Sequence, residues 1–214
     1  MKKQIILLVV VATFACCSVS RADIIGASWN LNDCTNVTCS SQTFASGTLN
    51  MNGVQHASLG LMEGTITTDT IGDPTLYLGS GVNNDTGGAW IGYQVNVVMS
   101  TSFTYAVTPS VSTIPSDTWF LASSPTTATL QGPGPYAGLY ESTFAFSEGT
   151  TPVGIGEELD FNYAINFAGS TDYAFTQEMI PMFSVVPEPS TVALLAIGGL
   201  GLALRLRRNS RKGA

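Results

Sequence analysis

The sequence predicts an all-β fold in which two antiparallel sheets pack as a jelly-roll-like β-sandwich. The middle of the chain is rich in Thr, Ser, Gly and Asn together with β-branched and aromatic residues, and no stretch there repeats its apolar residues at the helical period. Several segments instead alternate apolar and polar residues, as strands with one buried face do. Turn residues separate these segments, and the lack of a Cys-Trp-Cys spacing favours a jelly roll over an immunoglobulin-like sandwich.

The clearest strand is residues 158–168, in which every second residue is apolar. Those apolar residues are Leu159, Phe161, Tyr163, Ile165 and Phe167. The same alternation begins at Ile91, Phe103, Tyr140 and Tyr173 and predicts four further strands. With the shorter segments included, the spacing indicates about nine strands.

Turn signals separate these strands. The pair Asn52-Gly53 stands between two short apolar segments and predicts a hairpin, because a type I′ turn requires positive φ at both central residues. Residues 72–74, 83–88 and 132–135 are clusters of Gly, Pro, Asn and Asp and predict loops.

Positive charge is confined to the two ends of the chain. All eight Lys and Arg residues lie there: Lys2, Lys3, Arg21, Arg205, Arg207, Arg208, Arg211 and Lys212. All fifteen Asp and Glu residues lie between Ala22 and Leu204. A body without cations cannot neutralise a phosphate backbone, so we expect no nucleic-acid partner. It also has no Lys or Arg with which to hold a phosphate or carboxylate substrate.

Residues 1–22 predict a secretory signal peptide. Lys2 and Lys3 precede an apolar stretch of residues 5–15, and small residues lead to Ala22. We expect cleavage between Ala22 and Asp23, because the apolar stretch is too short to span a bilayer of about 30 Å. A membrane anchor is one alternative, and a lipoprotein that begins at one of the two cysteines at positions 16 and 17 is another.

The other end combines a Pro-rich segment, a short apolar stretch and a basic tail. Pro187, Glu188 and Pro189 favour an extended segment. Residues 192–204 predict a membrane helix of roughly 20 Å, which is short for a permanent span. The arginines that follow fit the cytoplasmic side of a membrane and act as a basic stop; they are Arg205, Arg207 and Arg208.

This arrangement resembles the PEP-CTERM sorting signal of exported bacterial proteins, over residues 186–214. The resemblance implies transit through the inner membrane, recognition by an exosortase-type enzyme that cuts near the Pro187–Pro189 triplet, and delivery to the cell surface or the extracellular polysaccharide matrix. Similar tails are also catalogued as a C-terminal module of ice-binding proteins. If no sorting enzyme is present, the tail stays as a membrane anchor. Residues 23–185 are then the β-sandwich ectodomain.

Cys34 and Cys39 are the cysteines of the predicted ectodomain, and in an exported chain we expect them to form a disulfide. Zinc is the alternative, although two cysteines are too few ligands for a structural site. Two oxygen-rich turns are candidate binding sites for a calcium ion. One turn contains Asp69 and Asp73, and the other contains Asn83 and Asp85.

No catalytic residue and no cofactor other than that calcium is expected. His56 is the single histidine and is interpreted as a strand residue. Glycosidases need only two carboxylates, and two groups of acids are candidates for that role: Glu157, Glu158 and Asp160 in one, Glu141 and Glu148 in the other. The alternative interpretation is that these acids lie on the solvated surface and have no catalytic role. Trp29, Trp90 and Trp119 either stack on sugars or belong to the core.

The sequence therefore predicts an exported, non-enzymatic protein of the cell surface or extracellular matrix, with polysaccharide or surface proteins as partners. The alternative is a secreted carbohydrate-binding or carbohydrate-hydrolysing module. A cleft with two facing carboxyl groups and an aromatic floor favours the hydrolase, whereas acids scattered over convex faces favour the structural protein.

Overall fold

The computed structural model describes residues 22–167 and 171–184, and this part of the chain contains twelve strands and no helix. The strands are β1 (Ile24–Trp29), β2 (Val37–Ala45), β3 (Thr48–Gln55), β4 (Gly60–Thr68), β5 (Thr75–Asn84), β6 (Trp90–Met99), β7 (Phe103–Ile114), β8 (Phe120–Ser123), β9 (Thr129–Leu130), β10 (Tyr140–Ser147), β11 (Glu158–Phe167) and β12 (Asp172–Phe183). The signal peptide and the predicted membrane helix lie outside the described residues. Within the described residues, no helix is long and apolar enough to cross a membrane.

The strands form two sheets. The first sheet has the order β1-β4-β12-β6-β10-β8, with β9 also paired to β10, and the second has the order β2-β3-β5-β11-β7. All neighbours are antiparallel except β3 and β5, which are parallel. The prediction of purely antiparallel sheets is therefore wrong at this pair. The reason is that β4 crosses to the first sheet, so the chain returns to β5 in the same direction as β3.

The predicted Asn52-Gly53 hairpin is also wrong. Both residues lie inside β3, because the inward alternation continues through Gly53 to the buried Gln55. The hairpin that precedes β3 instead turns at Ser46 and Gly47, whose φ angles are 50° and 75°. Positive φ at two successive residues is the conformation that a type I′ turn requires.

The two sheets pack face to face through aromatic side chains. The ring of Phe161 in β11 lies 5.8 Å from that of Tyr93 in β6 and 6.1 Å from that of Phe146 in β10, and Phe144 lies 5.3 Å from Tyr163. All five apolar residues that the alternation of β11 identified are buried. Each pair joins one sheet to the other, so the predicted inner face of β11 is confirmed.

The three tryptophans belong to the core. Trp29, Trp90 and Trp119 are 2%, 0% and 7% exposed. The indole nitrogen of Trp90 donates to Thr86 Oγ1 at 2.9 Å, and that of Trp119 donates to the Thr151 carbonyl at 3.1 Å. The idea that these rings stack on sugars is therefore wrong, because none of them offers a face to solvent.

Hydrogen bonds between buried polar groups cross the core from one sheet to the other. The Tyr93 hydroxyl donates to Gln55 Oε1 at 2.5 Å, and the Tyr163 hydroxyl donates to Gln177 Oε1 at 2.7 Å. Burial raises the pKa of both phenols well above the ordinary value, so they remain protonated donors. Gln177 in turn donates to the buried Ser80 hydroxyl at 3.3 Å. These bonds satisfy polar groups that would otherwise destabilise a buried core.

Candidate functional site

The outer face of the second sheet carries a polar trough along β5. Gly79 and Gly81 form its floor, because alternate residues of a strand point to the same face. The register places residues of β3 and β11 on either side of each glycine: Asn50 and Asn162 flank Gly79, and Asn52 and Asp160 flank Gly81. The cavity has a volume of about 290 Å³. We refer to it as the glycine trough.

Side-chain oxygens converge over the floor of the glycine trough. A methyl group on Gly81 would lie 2.5 Å from Glu158 Oε1, 2.6 Å from Asn52 Oδ1 and 2.8 Å from Asp160 Oδ1. A methyl group on Gly79 would meet the Oδ1 atoms of Asn50 and Asn162 at similarly short range. Both positions therefore require glycine, and the absence of a side chain there leaves space for the polar groups of the walls.

The two carboxyl groups of the glycine trough influence one another. Burial raises the pKa of Glu158, and the adjacent charge of Asp160 and the hydrogen bond between the two groups raise it further. Burial also raises the pKa of Asp160, although its hydrogen bond with Glu158 opposes that shift. The trough thus offers acidic oxygens as acceptors and Asn amides as both donors and acceptors. Such a set is suited to hydroxyl groups.

Of the carboxylate pairs that the sequence suggested, the structure brings together only Glu158 and Asp160 among the described residues. Glu157 lies at a turn, where its Oε2 accepts a hydrogen bond from the Gly154 amide at 2.6 Å. Glu141 lies near the start of β10 and Glu148 just after its end. Seven residues of extended chain separate these two by roughly 23 Å, so they do not form a pair.

His56 lies between a hydroxyl and a carboxylate at the end of the second sheet where β3 and β5 finish. His56 Nδ1 is 2.8 Å from Asp85 Oδ2, and Nε2 is 2.9 Å from Thr38 Oγ1. The His56 and Asp85 side chains are 43% and 62% exposed. Sequence reasoning missed this arrangement because it depends on the parallel pairing of Gln55 with Asn84, for which the local pattern contains no signal.

The two calcium candidates lie at opposite ends of β5. Asp69 and Asp73 belong to the turn between β4 and β5, whereas Asn83 is in β5 and Asp85 follows it. Asp69 Oδ1 accepts a hydrogen bond from the Asp23 backbone amide at 2.9 Å. In the described ranges, no group of three or more His, Cys, Asp or Glu side chains is placed to hold a metal ion. Calcium at either turn stays a prediction.

Cys34 and Cys39 are free thiols whose Sγ atoms lie 2.9 Å apart. Burial and the neighbouring Cys34 raise the pKa of Cys39 to about 12. The two residues are thus neighbours in space, and the disulfide between them stays a prediction. Ala22 is buried at the start of the described chain. The predicted cleavage between it and Asp23 also stays a prediction.

Comparison with known proteins assigns the C-terminal segment. A search of curated proteins found no match to the chain. The family model of the PEP-CTERM protein-sorting motif matches residues 185–208. This range contains the Pro187–Pro189 triplet and the three arginines predicted as the basic stop, all of which lie outside the described residues. The chain therefore carries a PEP-CTERM protein-sorting motif at its C-terminus.

Proposed function

We propose that this chain is an exported, non-enzymatic protein that an exosortase-type enzyme delivers to the cell surface or the extracellular matrix, where it associates with exopolysaccharide or surface proteins. The sorting motif at residues 185–208 carries the proposal, because it supports export and processing by an exosortase system. It follows directly on a β domain that ends at Phe183 within the described residues. The inner membrane is a partner in transit.

Two features of the ectodomain support the rest of the proposal. The glycine trough presents amides and acids at the surface, as a contact with polysaccharide requires. Its two carboxyl groups project side by side from alternate residues of β11, whereas the carboxyl groups of glycosidases flank the scissile bond of the sugar from two sides, about 5 to 10 Å apart. The proposal includes no cofactor; a calcium ion at either Asp-containing turn is the alternative.

We also propose that residues 23–185 are a jelly-roll-like sandwich. From β4 to β7 the chain alternates between the two sheets, and β10, β11 and β12 alternate again. The last strand, β12, lies between β4 and β6, while β11 lies between β5 and β7. Such interleaving of late strands between early ones is the pattern of folded-over Greek keys.

Mass spectrometry of the fully processed protein tests the sorting proposal. The chain is expressed with both ends intact in a bacterium that contains an exosortase, and the same chain with Pro187 and Pro189 both replaced by Ala is the control. We expect a product that begins at Asp23 and ends near Glu188 in the surface or extracellular fraction. The control should remain in the membrane fraction. Recovery of peptides that contain Arg211 or Lys212 from the extracellular fraction contradicts the proposal.

A second candidate function is ester hydrolysis at Thr38, His56 and Asp85. The order hydroxyl, imidazole and carboxylate is that of a nucleophile, its general base and the group that orients the base. In this reaction Thr38 Oγ1 attacks an acyl carbonyl while His56 Nε2 takes the hydroxyl proton. His56 then returns the proton to the leaving alcohol, and water hydrolyses the acyl-threonine.

Hydrolysis of p-nitrophenyl acetate distinguishes the two functions. If the second candidate is right, His56→Ala and Thr38→Val each abolish turnover, whereas Thr43→Val on the same strand leaves it unchanged. Turnover no faster than that of free imidazole at equal concentration, or equal rates in all variants, leaves the non-enzymatic proposal as the better one.

A further inference from the structure

The glycine trough is built around two glycines that a strand interior does not favour. Gly79 and Gly81 lie within β5, which has β3 on one side and β11 on the other. Glycine in a strand interior reduces stability, since it adds backbone entropy to the unfolded chain and contributes no side chain to packing. It often marks a place where another group approaches the backbone closely. At Gly79 and Gly81 those groups are the side-chain oxygens of the walls, which the missing side chains allow to gather in one cluster on the outward face.

The walls of the trough offer hydrogen-bonding groups that the protein does not use itself. Among the described residues, no side-chain hydrogen bond is formed to the amides of Asn50 or Asn162. Asn52 Nδ2 donates weakly to Ser41 Oγ at 3.4 Å, which leaves its Oδ1 toward Gly81. The strands that carry the walls lie two strand spacings apart, about 10 Å, but their side-chain oxygens lean inward and lie within 2.9 Å of a methyl group added to Gly79 or Gly81. An extended chain therefore lies over the rims of the walls, within reach of these oxygens, and not down between them.

The charge of the trough restricts which class of ligand it can bind. The described body contains no Lys or Arg, and Glu158 and Asp160 lie at one end of the trough. A phosphate, a uronic acid or a nucleic acid would meet these carboxyl groups without a compensating cation. An apolar ligand would leave the Asn amides without partners, which is unfavourable. A neutral ligand rich in hydroxyl groups avoids repulsion by the carboxyl groups and also provides hydrogen-bond partners for the Asn amides.

An exposed aromatic residue continues the same face. Tyr77 precedes Gly79 by two residues, so it points to the same side of β5, and it is 47% exposed. An exposed ring beside a row of amides and acids offers a stacking surface for the apolar face of a sugar. The row from Gly81 to Tyr77 is then a linear surface with hydrogen-bonding groups at one end and a ring at the other.

We propose that the glycine trough, together with Tyr77, is the binding site for a neutral polysaccharide chain that lies along β5. This site rests on the proposed function, since it supplies the contact through which the exported protein associates with polysaccharide. Asn50 and Asn162 bind hydroxyl groups above Gly79, Asn52 and Asp160 do so above Gly81, and the Tyr77 ring stacks on a neighbouring sugar. The contact is direct and requires no metal ion.

Affinity gel electrophoresis and calorimetry with the full chain test this site. The probes are dextran, laminarin and mannan as neutral polysaccharides and alginate as an anionic one, each with calcium and with EDTA. We expect at least one neutral probe to bind in EDTA and alginate not to bind. Asn50→Ala and Asn162→Ala should each weaken that binding about tenfold, as the loss of one or two hydrogen bonds implies. Asn32→Ala in an exposed loop is the matched control and should bind normally.

Both Asn residues of the test are exposed, so their variants should keep the circular dichroism and melting temperature of the parent. Binding that needs calcium, binding of alginate as tight as that of the neutral probes, or equal affinity of all variants overturns the site. Fractionation of cells that secrete the parent and the variants separates the two proposals. If the parent is absent from both the cell surface and the matrix, the proposed function fails. If parent and variants are retained equally, only the trough is overturned.

Discussion

The backbone amide of Asp23 donates to Asp69 Oδ1 at 2.9 Å, and the amide of Asp69 donates to the carbonyl of Asp23 at 3.1 Å. This reciprocal pair holds the start of the described chain to the end of β4. If the signal peptide is removed after Ala22, the nitrogen of Asp23 becomes an ammonium group. The same atom then forms an ion pair with Asp69, in a body that otherwise has no Lys or Arg.

Asp69→Asn should destabilise the chain that begins at Asp23 by about 0.5 kcal/mol at low salt, since exposed ion pairs contribute little. The measurement is chemical unfolding at two salt concentrations, and the effect should shrink at high salt because ions screen the pair. The control is the same substitution in a chain whose amino group has been acetylated. An equal loss in acetylated and free chains would show that the ammonium charge plays no part.

Gly64→Ala should destabilise the protein by about 1 to 3 kcal/mol, the usual effect of overpacking. Gly64 pairs with both Trp29 and Phe175 across neighbouring strands. A methyl group there would lie 2.6 Å from Phe175 Cζ and 2.9 Å from the Ser28 carbonyl oxygen. Gly26→Ala on β1 is the matched control, because nothing lies within 4 Å of its added methyl. Thermal unfolding of both variants checks the difference, and equal melting temperatures contradict it.

Stability should rise as the pH falls from neutral to about 4.5. Burial raises the pKa of Glu141, Glu158 and Asp160 in the folded state. A carboxyl group of this kind binds its proton more tightly when folded, so its contribution is fully present below the unfolded pKa, 4.5 for Glu and 3.8 for Asp. The contribution is lost as the pH rises through the folded value. Urea unfolding from pH 8 to pH 4 measures the trend, and a monotonic loss of stability in this range contradicts it.

At lower pH, Asp117 should make stability fall as the pH falls, which is opposite to the effect of Glu141, Glu158 and Asp160. Hydrogen bonds from Thr150 and Thr151 hold the pKa of its carboxyl group well below the ordinary value of 3.8. Its contribution to stability is therefore present above that value and is lost as the pH falls below it. Asp117→Asn should remove the decline in stability below about pH 3.8. Unfolding curves from pH 4 to pH 2 that are parallel for parent and variant would show that this group does not contribute.

Oxidation should join Cys34 to Cys39. We expect non-reducing peptide mapping of the exported protein to find this link, and Cys39→Ser to lower the free energy of unfolding by about 2 kcal/mol, as a short loop implies. With a reducing agent present, parent and variant should unfold alike. Quantitative labelling of both thiols in the exported protein contradicts the prediction. The raised pKa of Cys39 keeps its thiol protonated at neutral pH, so uncatalysed oxidation should be slow.

The sequence allowed prediction of the elements whose apolar alternation is continuous. In β11, Phe161 and Tyr163 are flanked by polar residues and their burial followed from the pattern alone. In β5 the inward alternation of Leu76, Leu78 and Val82 is interrupted by the buried Ser80, and the outward Gly79 and Gly81 are typical of turns, so the strand and the trough above it were missed. The contact of His56 with Asp85 was missed for another reason, because it depends on a parallel pairing that no local pattern specifies.

The absence of Lys and Arg between Ala22 and Leu204 also determines which proteases can cleave the ectodomain. Trypsin-like enzymes cut after Lys or Arg because an acid at the base of their specificity pocket binds the cation. Once both ends are removed, no peptide bond of the ectodomain satisfies that requirement, whether the chain is folded or unfolded. Resistance to this protease class is thus encoded in the composition and persists even when the sandwich opens.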